Sequence, residues 1–259
     1  MNRLRALLAG RGERTLVVPY LTAGFPAREE TLELLLALER GGADAIEVGL
    51  PFSDPLADGP VIQSCSQRAL EGGVTHGWIL EAVAGFRKRS EIPLILMGYL
   101  NPILAYGPDR FFADAADAGA DGLIVPDAPP EEAAPHLPVA ERAGLSWIFL
   151  AAPTSTDRRL REIDARSTDL NYCVSVAGVT GARDALPDSV VDYLARAEHN
   201  MDKPFVVGFG IARPEHVRQV SPPAAGVVVG SALLQALARE TTADGRRRRA
   251  ASFIESLRD

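Results

Sequence analysis

An α/β barrel is the fold class this sequence predicts: eight parallel strands, each followed by a helix, closed as a single-domain TIM (β/α)8 barrel. Three observations carry the prediction. Short apolar runs of strand length alternate with segments of helical period about eight times along the 259 residues, the unit count of such a barrel. Glycines at Gly41-Gly42, Gly119 and Gly144 close helices just before the next strand, as helix C-caps do. No G-x-G-x-x-G follows the first strand, which weighs against a doubly wound open sheet. No Pro/Ser-rich linker divides the chain, so residues 1–259 read as one domain.

The elements follow in order. Leu4, Leu7 and Leu8 fit one face of a short extra N-terminal helix. The apolar run Ala6–Ala9 is too short for a signal peptide. Strands are predicted at Thr15–Thr22, Ala43–Gly49, Pro93–Gly98, Gly122–Val125, Ser146–Leu150, Leu170–Ser175, Pro204–Gly208 and Gly226–Val229. Helices are predicted at Ala27–Arg40, Gly77–Arg89, Asp109–Ala118, Pro130–Ala143, Thr156–Ala165, Pro187–His199, Pro214–Val220 and Gly230–Ala238. Helical insertions follow strands 2 and 8: segment 60–75, and Gly245–Leu257, which closes the outer ring. Val176–Leu186 is too long for a simple turn and reads as a mobile active-site loop.

Composition excludes several function classes. Hydrophobic residues make up 47% and charged residues 24%, the balance of a globular core. A net charge of -7 argues against nucleic acid as the default partner. The basic run Arg246–Arg249 reads as a solvated helix face. Two cysteines, Cys65 and Cys173, suggest neither a disulfide framework nor a zinc site, and a reducing cytoplasm fits. No stretch is long enough to span a membrane.

The segment richest in chemistry is A-I-E-V-G-L-P-F-S-D-P-L-A-D-G-P, Ala45–Pro60. Ile46 and Val48 share one strand parity; Ala45, Glu47 and Gly49 share the other. The bulky pair should face the helices. The small pair, with Glu47 between, should face the barrel interior at the strand's C-terminal end, where this fold keeps its active sites. The alternative is a buried glutamate paired with a Lys or Arg. Asp58 is either aimed at the pocket by the turn at Gly59 or an N-cap for the inserted helix. Asp54, between Ser53 and Pro55, suits a solvated turn or a partner contact better than catalysis.

Late in the chain, G-F-G (Gly208–Gly210) and V-V-V-G-S-A (Val227–Ala232) each follow a strand. Gly210, Gly230 and Ser231 are candidate phosphate donors, since backbone N–H groups at a helix start favour an anion. Ala177–Gly181 could complete the cradle; glycines serving tight turns alone are the other reading. The four histidines, His76, His136, His199 and His216, fall away from strand C-terminal ends, and no metal motif occurs. Lys88 and Lys203, the only lysines, lie near strand starts, which disfavours a Schiff base. Carboxylates are left to move protons.

These residues resemble one family. Ile46–Pro60 is similar to the signature of the tryptophan synthase alpha chain. So, in family order, are P-Y-L-T-A-G (Pro19–Gly24), M-G-Y-L-N-P (Met97–Pro102), V-P-D-A-P-P-E-E (Val125–Glu132), Y-C-V-S-V-A-G-V-T-G (Tyr172–Gly181), G-F-G-I (Gly208–Ile211) and V-V-G-S-A (Val228–Ala232). The resemblance implies a lyase that splits indole-3-glycerol phosphate into indole and glyceraldehyde 3-phosphate by a retro-aldol reaction, with no cofactor of its own. It implies that Glu47 is the acid–base group and that Asp58 holds the indole N–H. Tyr172 would pack beside Glu47, and Thr180 would help position Asp58. Gly181, Gly210, Gly230 and Ser231 would bind phosphate, and Phe209, Tyr20 and Tyr99 would line the indole pocket. It also implies a pyridoxal-phosphate-dependent tryptophan synthase beta chain as partner in an α2β2 assembly, with Asp54 a candidate contact. Phe25 and Val176 stand where other members carry Asp and Arg. Other readings are a stand-alone lyase releasing indole, a phosphosugar isomerase, and a non-catalytic phosphate-ligand module that activates a partner.

Overall fold

The computed structural model describes residues 2–174, 188–208 and 210–258. Eight strands close into a barrel in chain order: β1 (Leu16–Thr22), β2 (Ile46–Gly49), β3 (Leu94–Met97), β4 (Gly122–Ile124), β5 (Ser146–Ala151), β6 (Asn171–Val174), β7 (Phe205–Gly208) and β8 (Gly226–Val229). All pairings are parallel, and β8 returns to β1 with Leu16 opposite Gly226. Helix α1 (Arg3–Gly10) precedes the barrel and α2 (Thr31–Arg40) follows β1. After β2 come α3 (Pro60–Glu71) and α4 (His76–Arg87), and after β3 come α5 (Leu100–Tyr106) and α6 (Pro108–Ala118). Then β4 leads to α7 (Pro130–Ala133) and α8 (Leu137–Arg142), β5 to α9 (Asp157–Arg166), β6 to α10 (Asp188–Asn200) and β7 to α11 (Pro214–Val220). Two helices, α12 (Ser231–Ala238) and α13 (Ala243–Glu255), follow β8. Among the described residues, no helix is long and apolar enough to cross a membrane.

The predicted α/β barrel is therefore the observed one, with the N-terminal helix and the insertions after β2 and β8. Local departures have local causes. The segment predicted as one helix at Pro130–Ala143 is two, α7 and α8, because Pro135 and Pro138 each lack an N–H for a continuous ladder. The start of the predicted Ala27–Arg40 helix is a 3-10 turn at Arg28–Glu30. Helix α5 was not predicted; its two turns are too short to show a period. Arg246 is not on a solvated face: its guanidinium donates to both oxygens of Glu30 at 2.7 and 2.6 Å, and its side chain is only 15% exposed. That ion pair ties α13 to the start of α2.

Strand parity sorts the core. Odd-numbered Trp147 and Phe149 on β5 face outward, where Trp147 meets Phe112 of α6 edge-on at 5.9 Å between ring centroids. Leu16, Val18, Ala45, Ile95, Ile124, Ile148, Val206 and Val228 face inward and fill the barrel. At the N-terminal end of the strands, buried aspartates satisfy the ladder ends. Asp44 accepts from the Val17 N–H at 2.8 Å and pairs with Arg14 and Arg258. Asp121 accepts from the Leu94 N–H at 2.9 Å and pairs with Arg87 and Arg3. Asp164 accepts from Asn171 and from the Lys203 N–H. Helix α1 covers this end with Leu4 and Leu7.

Candidate active site

Glu47 lies in the inward-facing row of β2, opposite Tyr20 of β1 and Ile95 of β3. Its residue is 1% exposed. Neither carboxyl oxygen has a hydrogen-bond partner among the described residues. Among the described residues the other buried acids, Asp44, Asp121 and Asp164, are all paired or hydrogen-bonded. Among the described residues, then, no Lys or Arg pairs with Glu47. Burial first, and the Asp58 charge second, push the Glu47 carboxyl up to about 8, because a desolvated carboxylate near another anion keeps its proton.

Asp58 enters from the loop between β2 and α3. The N-cap of α3 is Gly59, and no side chain caps that helix; the capping reading of Asp58 therefore fails. Its carboxylate instead takes a hydrogen bond from the Tyr99 hydroxyl. That hydroxyl accepts from the Ala57 N–H at 3.0 Å, and the Tyr99 ring lies 5.3 Å from Phe52 between centroids. Tyr99 thus reaches the site from behind the loop and braces it. Burial raises the Asp58 carboxyl to about 6, against the lowering effect of the Tyr99 bond.

Two tyrosines flank Glu47, each seated in a notch that a glycine leaves open. A Cβ on Gly49 would lie 2.1 Å from the Tyr20 hydroxyl oxygen, and one on Gly208 would lie 2.2 Å from that of Tyr172. Burial raises both phenols well above the usual range, so they stay neutral.

A cleft of about 310 Å³ opens above these groups at the strands' C-terminal ends. Glu47, Asp58, Tyr20, Tyr172, Gly210, Gly230 and Ser231 all line it. Gly230 caps α12 without any side-chain bond, so the first N–H groups of that helix remain available to an anion. Gly210 has φ +41°, a backbone that favours glycine. The carboxylates and the anion-binding end therefore share one cleft. Its apolar wall also includes Ile62, Met97, Pro126, Leu150 and Val174, which the sequence reading did not single out. Extending the inward parity of β3, β4, β5 and β6 by one step would have found most of them. Thr180, Gly181, Phe209 and the Val176–Leu186 loop lie outside the described residues. Asp54 sits on the outer loop, exposed, with its carboxylate bonded by the Ser53 hydroxyl. Phe25 is buried, its ring 5.7 Å from the Arg68 guanidinium.

The family model of the tryptophan synthase alpha chain matches residues 8–258. This chain belongs to the tryptophan synthase alpha chain family. The tryptophan synthase alpha chain of Geotalea uraniireducens is 47% identical over 253 residues, covering 98% of this chain and 94% of the relative. The alpha subunit of Legionella pneumophila, solved as a crystal structure, superposes with a TM-score of 0.90 at 37% identity, covering 100% of this chain and 97% of that one. The tryptophan synthase complex of Pyrococcus furiosus contains a chain that matches with a TM-score of 0.86 at 38% identity, covering 93% and 97%. The family's activity, an indole-3-glycerol phosphate lyase, fits a cleft with two carboxylates at one end and a helix N-terminus at the other.

Proposed function

We propose that this cleft splits indole-3-glycerol phosphate with Glu47 as proton carrier and Asp58 as counter-charge. One observation carries the assignment: the two carboxyls share a cleft but are held at about 8 and about 6. Near neutral pH one is an acid and the other an anion, the division of labour that the reaction needs. The Glu47 proton goes to indole C3, and the ring nitrogen becomes positive. Asp58 accepts the indole N–H bond and stabilises that charge. The side-chain hydroxyl proton then returns to Glu47, the bond from C3 to the carbinol carbon breaks, and its electron pair restores the aromatic ring. Indole and glyceraldehyde 3-phosphate leave. Gly210, Gly230 and Ser231 hold the phosphate through backbone N–H groups, while Tyr20 and Tyr172 wall the indole side.

The partner reading follows from the relative solved as a tryptophan synthase complex. A beta chain in an α2β2 assembly would receive the indole and make L-tryptophan. The outer β2–α3 loop supports this: Leu56 is 94% exposed beside Asp54, and an isolated apolar side chain so presented suits a covered surface. Steady-state cleavage of indole-3-glycerol phosphate by the Glu47→Gln variant, with and without a beta chain, tests the assignment. Cleavage lost with ligand binding retained is expected; a near-native rate would remove Glu47 from the mechanism.

A further inference from the structure

Beneath Glu47, toward the N-terminal ends of the strands, lies a small void of about 10 Å³. Its walls are Leu16, Val18, Ile95 and other inward apolar side chains, and Leu4 and Leu7 of α1 bound it from below. Two ionisable side chains, Glu47 and Tyr172, also line it. A void of that size holds one water at most, and a buried water needs two to four polar partners. Apart from Glu47 and Tyr172 the lining of this one is wholly apolar, which keeps it dry.

Helix α1 is firmly tied in that position. The Asn2 side chain accepts from the Leu4 N–H at 2.9 Å and donates to the carbonyls of Asp121 and Gly144 at 2.7 and 2.9 Å. Arg3 pairs with Glu91 and Asp121, and Arg5 pairs with Asp169. The helix turns its charges to the rim and its leucines to the void. Titratable groups facing Glu47 are Asp58 from the β2–α3 loop, Tyr20 from β1 and Tyr172 from β6. The inward residues of β3, β4, β5, β7 and β8 in this layer are apolar. No cation reaches either oxygen among the described residues. Water is therefore the agent left that could favour the ionised form, and from below α1 covers the barrel against it.

We infer that Leu4 and Leu7 are positioning residues for the cleavage: the α1 plug withholds water from the underside of Glu47 and so keeps its carboxyl protonated. This rests on the reading of Glu47 as proton donor. The test compares Leu7→Ser and Leu4→Ala with native protein and with Leu7→Met, which refills the void. Leu7→Ala, a milder change at a half-buried position, stands in if the serine variant does not fold. Carbon-13 NMR of carboxyl-labelled glutamate follows the Glu47 titration, with Glu47→Gln providing the assignment. The native and Leu7→Met midpoints should lie near 8. In the wetted variants the midpoint should fall by about one pH unit, a tenfold change in the protonated fraction. The alkaline limb of kcat should move with it, while KM changes little. Unmoved midpoints in the folded variants overturn the inference. A moved midpoint with an unmoved alkaline limb upholds the floor's effect and removes Glu47 as the proton donor instead.

Discussion

Glu47 and Asp58 are chemically similar side chains placed where solvent treats them differently. Glu47 is enclosed and has no hydrogen bond among the described residues, whereas Asp58 is half-buried and braced by Tyr99. Two predictions belong to this scale. kcat/KM should be bell-shaped in pH. It should fall below about 6, where Asp58 gains a proton and loses its charge, and above about 8, where Glu47 loses its proton. A flat profile between pH 5 and 9 (roughly tenfold in proton activity beyond each midpoint) would refute the division of labour. Stability should show the cost of the buried acid. Between 4.5 and about 8 the folded chain keeps a proton that the unfolded chain has lost, so stability declines as pH rises through that window. Glu47→Gln should remove this decline, gaining on the order of 2 kcal/mol at neutral pH. Urea denaturation of both proteins at pH 5 and pH 8 measures it; equal slopes with pH would show that Glu47 titrates normally.

At the scale of elements, the two ends of the strands have opposite designs. At the N-terminal ends, aspartates complete the backbone bonding and join neighbouring elements. Asp121, with a side chain 2% exposed, serves the Leu94 N–H and meets both Arg87 and Arg3. Asp121→Ala should leave the half-buried Arg87 charge uncompensated and cost about 3 kcal/mol. Thermal melting measures that loss. A loss under about 0.5 kcal/mol would mean that the Arg87 bonds to carbonyls suffice. At the C-terminal ends the strands finish in glycines, Gly49 and Gly208, so that tyrosines can lie close over Glu47. A helix, α12, presents its start to the same cleft with no side-chain cap among the described residues.

The whole molecule separates folding from function by face. The outer β2–α3 loop projects from the functional face with Leu56 nearly fully exposed. Leu56→Asp should leave the rate of the lone chain unchanged and reduce activation by a beta chain about tenfold, since a rim charge replaces an apolar contact. Activity titrations with increasing beta chain read both numbers, and undiminished activation would place the interface elsewhere. The barrel also explains why the inserted helices matter. Helix α3 carries the chain away from Asp58, and α13 is anchored to α2 through Arg246 and Glu30.

Much of this was legible from residue order alone, because its causes are local. Alternating periods, glycine C-caps and strand parity predicted the eight strands and turned Glu47 inward. Spacing put Gly210, Gly230 and Ser231 after strands, the last two directly before a helix. Local rules could not decide contacts between segments distant in the chain. They left Asp58 as either a cap or a site residue, and the bond from Tyr99, 41 positions later by their numbers, resolved it. They placed Arg246 in solvent, whereas Glu30 meets it from the other end of the chain. They gave Leu4 and Leu7 a helix face but not the void beneath Glu47. Periodicity encodes which way a side chain points, and that much resides in the sequence. What it meets, and how dry that place is, depends on barrel closure, which brings remote residues together and sets the proton affinity of the acid at its centre.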